Sequence, residues 1–182
     1  GADDVTISTQ YAEYTGGEGT TYQTGDLGCF AVSGAAGYEK RALLRFGALG
    51  LPAGAKVKSA RLTLRVVTWA KGFTVHGHYL KAAWSATGAW PGWLHRAAGL
   101  AWAVPGAGGA GTDRIAGKGF SLSGFKGSGE QSMTVTLDTA VVQGWVDDPA
   151  ANQGVLPVNG SADKVLHVRS AEFATKTRRP TL

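Results

Sequence analysis

Ala60-Arg-Leu-Thr-Leu-Arg-Val66 alternates apolar and polar residues without a break. Strict alternation is the mark of a half-buried strand, because successive side chains point to opposite faces. Leu62, Leu64 and Val66 therefore share one face, and Arg61, Thr63 and Arg65 share the other. Working outward, Arg41-Ala-Leu-Leu-Arg-Phe46 splits the same way, with Arg41, Leu43 and Arg45 opposite Ala42, Leu44 and Phe46. In Phe73-Thr-Val-His-Gly-His-Tyr79, Thr74, His76 and His78 oppose Phe73, Val75 and Tyr79; later, His167 and Arg169 oppose Leu166 and Val168. Further strand-like runs are Val5–Ser8, Leu27–Val32, Lys56–Val67, Gln131–Leu137 and Gly154–Val158. Turn clusters such as Leu51-Pro-Ala-Gly54 punctuate them. Many short strands between turns predict an all-β, two-sheet sandwich.

One stretch departs from the pattern. In Asp138-Thr-Ala-Val-Val-Gln-Gly-Trp-Val-Asp147, Val141, Val142, Trp145 and Val146 recur at helical spacing, and Asp138 is placed to cap the free N–H groups. A short helix is predicted there, closed by Pro149 and packing Val142 and Trp145 over one end of the sandwich.

The bulk properties agree. The chain has 182 residues, enough for one domain with a full core, and its 28 Gly with only 17% charged residues favour turns over helices. No linker divides it, since Pro105–Gly111 is too short, so residues 1–182 are expected to form one domain. The segment from Thr9 to Tyr22 reads as a surface loop. Cys29 stands alone, which excludes an intrachain disulfide and a multi-cysteine zinc site and fits a small core residue. No apolar run nears the roughly 20 residues of a membrane helix. No signal peptide opens the chain, so a module excised from a longer protein, or a processed form, is expected.

Lys and Arg number 18 against 13 Asp and Glu, a formal charge of +5, which points to an acidic partner. If strand neighbours share a sheet, Arg41, Arg45, Arg61, Arg65, His76, His78, His167 and Arg169 form a cationic face. Arginine pairs its planar fork with carboxylate or sulfate without a metal. Four of the six tryptophans, Trp84, Trp90, Trp93 and Trp102, fall in a loop-like segment that also holds Arg96. Such rings stack well on the C–H face of a sugar. Trp84 and Trp102 are expected inside, with Trp90 or Trp93 more exposed. His76-x-His78 lacks an evident third ligand, so no metal is expected there.

Several segments together resemble the DNRLRE-domain family, which includes carbohydrate-binding modules appended to alginate lyases and other polysaccharide-degrading enzymes. The resemblance lies in Arg41–Phe46, Leu51–Leu64, Trp84 to Asp113 with Pro105-Gly106 and Gly111-Thr-Asp113, Leu137–Trp145 with Asn152-Gln-Gly154, and Ser170-Ala-Glu172 with Arg179-Pro-Thr-Leu182. It implies a β-jelly roll, a secreted, extracellular or bacterial cell-surface setting, and glycan binding, with Glu172 and Arg179 as a structural pair. Two departures stand out: the chain stops at Leu182, and Phe73–Leu80 with its two histidines has no counterpart.

The expected function is a noncatalytic module that binds an anionic polysaccharide, alginate or another uronate-containing glycan. It would work as a monomer within a longer multidomain enzyme. Arg41, Arg45, Arg61, Arg65, His76, His78, Trp90, Trp93, Arg96 and Arg169 are the candidate ligand-binding residues. No cofactor is called for; a structural calcium ion on Asp3, Asp4, Asp113 or Asp138 is the alternative. Competing readings are a jelly-roll polysaccharide lyase using Arg61 or Arg65 with His76, His78 and Tyr79, and a structural cell-surface module. Alternation already sets Tyr79 opposite His78. Nucleic-acid recognition lacks a basic helix or motif, and no membrane partner is expected.

Overall fold

The computed structural model describes residues 2–9, 29–35, 38–52, 54–85, 91–161 and 163–182, and is built mostly of antiparallel strands. The strands are β1 (Ala2–Ser8), β2 (Cys29–Ser33), β3 (Lys40–Phe46), β4 (Arg61–Thr68), β5 (Val75–Leu80), β6 (His95–Ala97), β7 (Leu100–Ala101), β8 (Arg114–Leu122), β9 (Gly129–Thr136), β10 (Val155–Asn159) and β11 (Val165–Arg169). Among the described residues one α-helix, α1 (Thr139–Asp147), interrupts them.

The large sheet runs β8-β5-β10-β3-β2-β11-β4-β9, with β1 also on β3. It is continuous only in name. β2 touches β3 through the single pair Ser33↔Lys40, whereas β1 and β3 pair from Ala2↔Phe46 to Ser8↔Lys40. The sheet folds over at that corner, giving a first half (β1, β3, β10, β5, β8) and a second half (β2, β11, β4, β9). One core cluster takes Ala42, Leu44, Val75, Tyr79, Leu122 and Val155 from the first half and Val32, Leu62, Leu64, Val66, Leu166 and Val168 from the second. A sandwich follows from that sharing.

The helix forms as its pattern predicts. The Asp138 side chain accepts hydrogen bonds from the N–H groups of Ala140 and Val141, and Val142 and Trp145 are buried in the shared core. Gln143 on its other face accepts from Val57 N–H and donates to the Ala55 carbonyl. Those bonds hold residues 55–57 against the helix, and β4 starts only at Arg61 instead of Lys56. The opposite end is closed by Phe73 and Phe125, stacked with ring centroids 4.4 Å apart.

β8 is a strand that the sequence reading misses. Gly117, Lys118 and Gly119 lie at its middle, a composition poor in strand formers. It forms as an edge strand on β5, where Phe120 pairs with Gly77. The Phe120 ring fills the space a Gly77 side chain would occupy and meets Tyr79 edge-on at 5.9 Å.

The first half has a second apolar face. Val5, Ile7, Leu43, Leu80 and Leu156 point away from the shared core and are roofed by Trp84, Trp93, Trp102 and Ala107. Three layers therefore stack on this side of the molecule: the shared core, the sheet and a tryptophan roof. Leu27, Gly28, Trp90 and residues 10–22 of the predicted surface loop lie outside the described residues, and so does the side chain of Cys29. Among the described residues no helix is long and apolar enough to cross a membrane.

Candidate functional site

The predicted cationic set does not share one face. Arg41, Arg45, His76 and His78 lie on the outer face of the first half, and Arg61, Arg65, His167 and Arg169 on that of the second. Burial explains the division, because each half turns its other face inward to the shared core.

On the first half the arginines are parts of the roof. Arg41 Nη1 donates to the Gly106 carbonyl at 2.6 Å, and its guanidinium lies 4.7 Å from the Trp93 ring centroid. Burial pushes its pKa down, with the Glu39 carboxylate beside it opposing that shift. Arg45 donates through Nε and Nη2 to the Asp3 carboxylate and through Nη1 to the Trp84 carbonyl, and it covers the Trp84 ring at 4.6 Å. Arg96 is tied in as well, donating to the Ala83 carbonyl at 2.7 Å. Of the pair Trp90 and Trp93, one of which is expected to be more exposed, Trp93 is buried, because Arg41 and Gly106 close over it, and Trp90 lies outside the described residues. Trp84 and Trp102 are buried as expected, donating to the carbonyls of Gln153 and Gly92.

Asp113 organises the roof from within. Its carboxylate accepts from the N–H groups of Ala103, Val104 and Gly109 while almost fully buried. The other acidic residues weighed for calcium are dispersed: Asp3 pairs with Arg45, Asp4 accepts from Ala171 N–H, and Asp138 caps α1 and pairs with Lys118. Among the described residues no group of three or more acidic, His or Cys side chains is arranged to hold a metal ion.

Among the described residues no tryptophan segment roofs the second half. β4 pairs along its length with β9, setting Arg61 beside Thr136, Thr63 beside Thr134 and Arg65 beside Ser132. The Thr63 and Thr134 hydroxyls lie 2.9 Å apart. Exposed Arg61 and half-buried Arg65 make no hydrogen bond or ion pair with a described residue and stand beside a row of hydroxyls. Arg169 differs: it clamps Glu130 through Nε and Nη2 and lies 4.3 Å from the Phe173 ring, while Arg178 takes the other oxygen of Glu130 at 3.4 Å. Two arginines thus share one carboxylate. Burial and the neighbouring Lys40 and Arg169 charges push the His167 pKa down.

Trp69 is the residue the sequence reading overlooks. The exposed–buried alternation of β4 runs on past its last residue to Trp69, which is 76% exposed. Thr68 fixes the turn, donating its hydroxyl to the Val165 carbonyl and accepting from Ala70 N–H. A bridge between Lys71 and Lys126 brings two more cations to the same end. The signal was present in the sequence: Arg61, Thr63, Arg65, Val67 and Trp69 keep one parity, and Trp69 stands apart from the clustered tryptophans.

Tyr79 points into the core, where its hydroxyl accepts from Asp138 N–H at 2.7 Å, and burial pushes its pKa up. It lies on the opposite side of β5 from His78, and the histidine–tyrosine set that lyase chemistry would use is not brought together. The closing motif also differs from expectation: Arg179 donates to the Phe173 carbonyl rather than pairing with Glu172.

No protein-family model matches this chain, and no curated protein matches it. The likeness to the DNRLRE-domain family rests on the motifs quoted above.

Proposed function

We propose that the protein is a noncatalytic carbohydrate-binding module, similar to those of the DNRLRE-domain family, that recognises an anionic polysaccharide such as alginate on the open outer face of its second half. One observation carries this reading: Arg61 and Arg65 have no partner among the described residues and stand over a hydroxyl-lined sheet, while Arg41 and Arg45 of the other half are consumed in structure. A guanidinium kept free of carboxylates is available for a uronate, which it pairs in a two-pronged fashion. The two side chains leave the same strand four residues apart, about 13 Å at the usual strand rise, so they suit an extended chain rather than a single small ligand. Trp69 adds a face for a pyranose ring, and Thr63, Ser132, Thr134 and Thr136 add hydroxyls for the sugar. A secreted or cell-surface setting, within a longer polysaccharide-degrading enzyme, goes with this reading.

Affinity electrophoresis in gels containing alginate, pectin or a neutral glucan tests it. Retardation by the acidic polymers that fades as salt rises is expected, since open charge pairs are screened. Equal retardation by the neutral glucan contradicts it. Incubation with alginate should leave the absorbance of unsaturated product flat; a steady rise overturns the noncatalytic assignment.

A further inference from the structure

A groove of about 600 Å³ runs along β5 and β8 on the outer face of the first half, and no tryptophan lines it. His76 and His78 of β5, Gly119 and Ser121 of β8 and Val158 of β10 form its floor, and Arg114 and Lys118 stand at its sides. The floor is kept low by glycine: a Cβ on Gly119 would come 2.7 Å from the Gly77 carbonyl oxygen. Two of its polar groups lack a partner among the described residues. Neither the Arg114 guanidinium nor the His78 imidazole makes a hydrogen bond or ion pair with a described residue, and His76 Nδ1 meets only Ser121 Oγ, at 3.4 Å. Lys118 is held by Asp138.

The groups facing His78 are one-sided in charge. β5 contributes His76, β8 contributes Arg114 and β3 contributes Arg41, whereas β10 presents Leu156 and Val158. Asp113, in the loop before β8, is buried and already saturated by three N–H donors. The site is a polar recess with cations converging and no free anion among its described neighbours. That is the chemistry of a pocket for a compact carboxylate.

We propose that this groove is a second binding site, separate from the open sheet face, which takes one uronate ring with its carboxylate on Arg114 and its hydroxyls on His76, His78 and Ser121. The proposal shares with the preceding section only the assumption that the partner is an acidic sugar. Burial, followed by the Arg114, His76 and Arg41 charges, lowers the His78 pKa to about 4, so the empty groove holds a neutral imidazole at neutral pH. A bound carboxylate supplies the missing negative charge and favours the protonated ring, so binding takes up a proton.

Imidazole NMR signals of the whole protein, followed during titration with glucuronate and with glucose, test the site. Glucuronate should move the His78 signals and raise its pKa, and it should bind several-fold more tightly at about pH 5 than at about pH 7. Glucose should do neither. Arg114→Gln should weaken glucuronate binding at least tenfold, and His78→Gln should bind but lose the pH dependence. The double variant R61A/R65A should keep the full His78 response, so loss of polymer binding in that variant reads the sheet face alone. Unmoved His78 signals, an equal response to glucose, or unchanged binding by Arg114→Gln with a native-like amide spectrum would overturn the second site while leaving the sheet-face reading standing.

Discussion

Strands β3 and β4 carry nearly the same outward text and put it to opposite uses. β3 presents Arg41, Leu43 and Arg45; β4 presents Arg61, Thr63 and Arg65. In each, two arginines sit four residues apart on the face away from the shared core. The middle residue separates them. Leu43 is fully buried and belongs to the roofed cluster, and its flanking arginines lie over Trp93 and Trp84. Thr63 bonds a neighbouring hydroxyl, and its flanking arginines bond to no described residue. An arginine pair on a strand is therefore left without a cover only where the residue between them does not call for one.

The largest effect should come from removing the cover. Trp84→Ala or Trp102→Ala takes a buried ring and an indole hydrogen bond from the roof. Each should cost about 3–5 kcal/mol in denaturant unfolding, the usual range for a buried aromatic cut to alanine. A loss under about 1 kcal/mol would mean the roof is loosely held.

Exchanging the two middle residues sharpens the contrast. L43T shrinks a fully buried side chain and places a hydroxyl among apolar neighbours, for an expected cost of about 2–4 kcal/mol. T63L adds apolar area at an open surface and should stay within about 0.5 kcal/mol of the parent. Chemical denaturation of both reads the difference, and equal costs would erase the distinction between the faces.

The arginines themselves come next. R45A removes a paired, ring-covering guanidinium and should lose about 1–2 kcal/mol. R65A should leave stability within about 0.5 kcal/mol but weaken retardation by alginate. A stability loss in R65A matching that in R45A would place it among the structural arginines.

A pH effect marks the seam where β1, on the first half, meets the segment after β11. Asp4 accepts from Ala171 N–H there, and burial raises its pKa from 3.8 to about 7. The folded protein therefore holds a proton that the unfolded chain releases. Stability from this group is full below about pH 4 and is lost as pH rises through about 7. D4N should flatten that slope in melting curves; an unchanged slope would assign it to another group.

The fold was readable because most strands expose one face and bury the other, so alternation in Arg61–Val67 and helical spacing in Val141–Val146 announce them directly. β8 was not, since an edge strand rich in glycine needs only a partner, not a pattern. The site was half readable. Parity placed Arg41, Arg45, Arg61, Arg65 and Arg169 on outward faces, but parity is blind to whether a distant segment covers that face. Leu43 between two arginines, and the abundance of tryptophan at 84–102, were together the signs of a roof. Trp69 carries no clustering signal, and its isolation beyond β4 is what leaves it in solvent.

Amide NMR of the protein titrated with an alginate oligosaccharide tests the central claim most directly. The largest shifts should fall on Arg61, Thr63, Arg65, Trp69 and Thr134, and should shrink as salt is added. Shifts confined to the roof segment around Trp84, Trp93 and Trp102, with β4 and β9 unmoved, would contradict it.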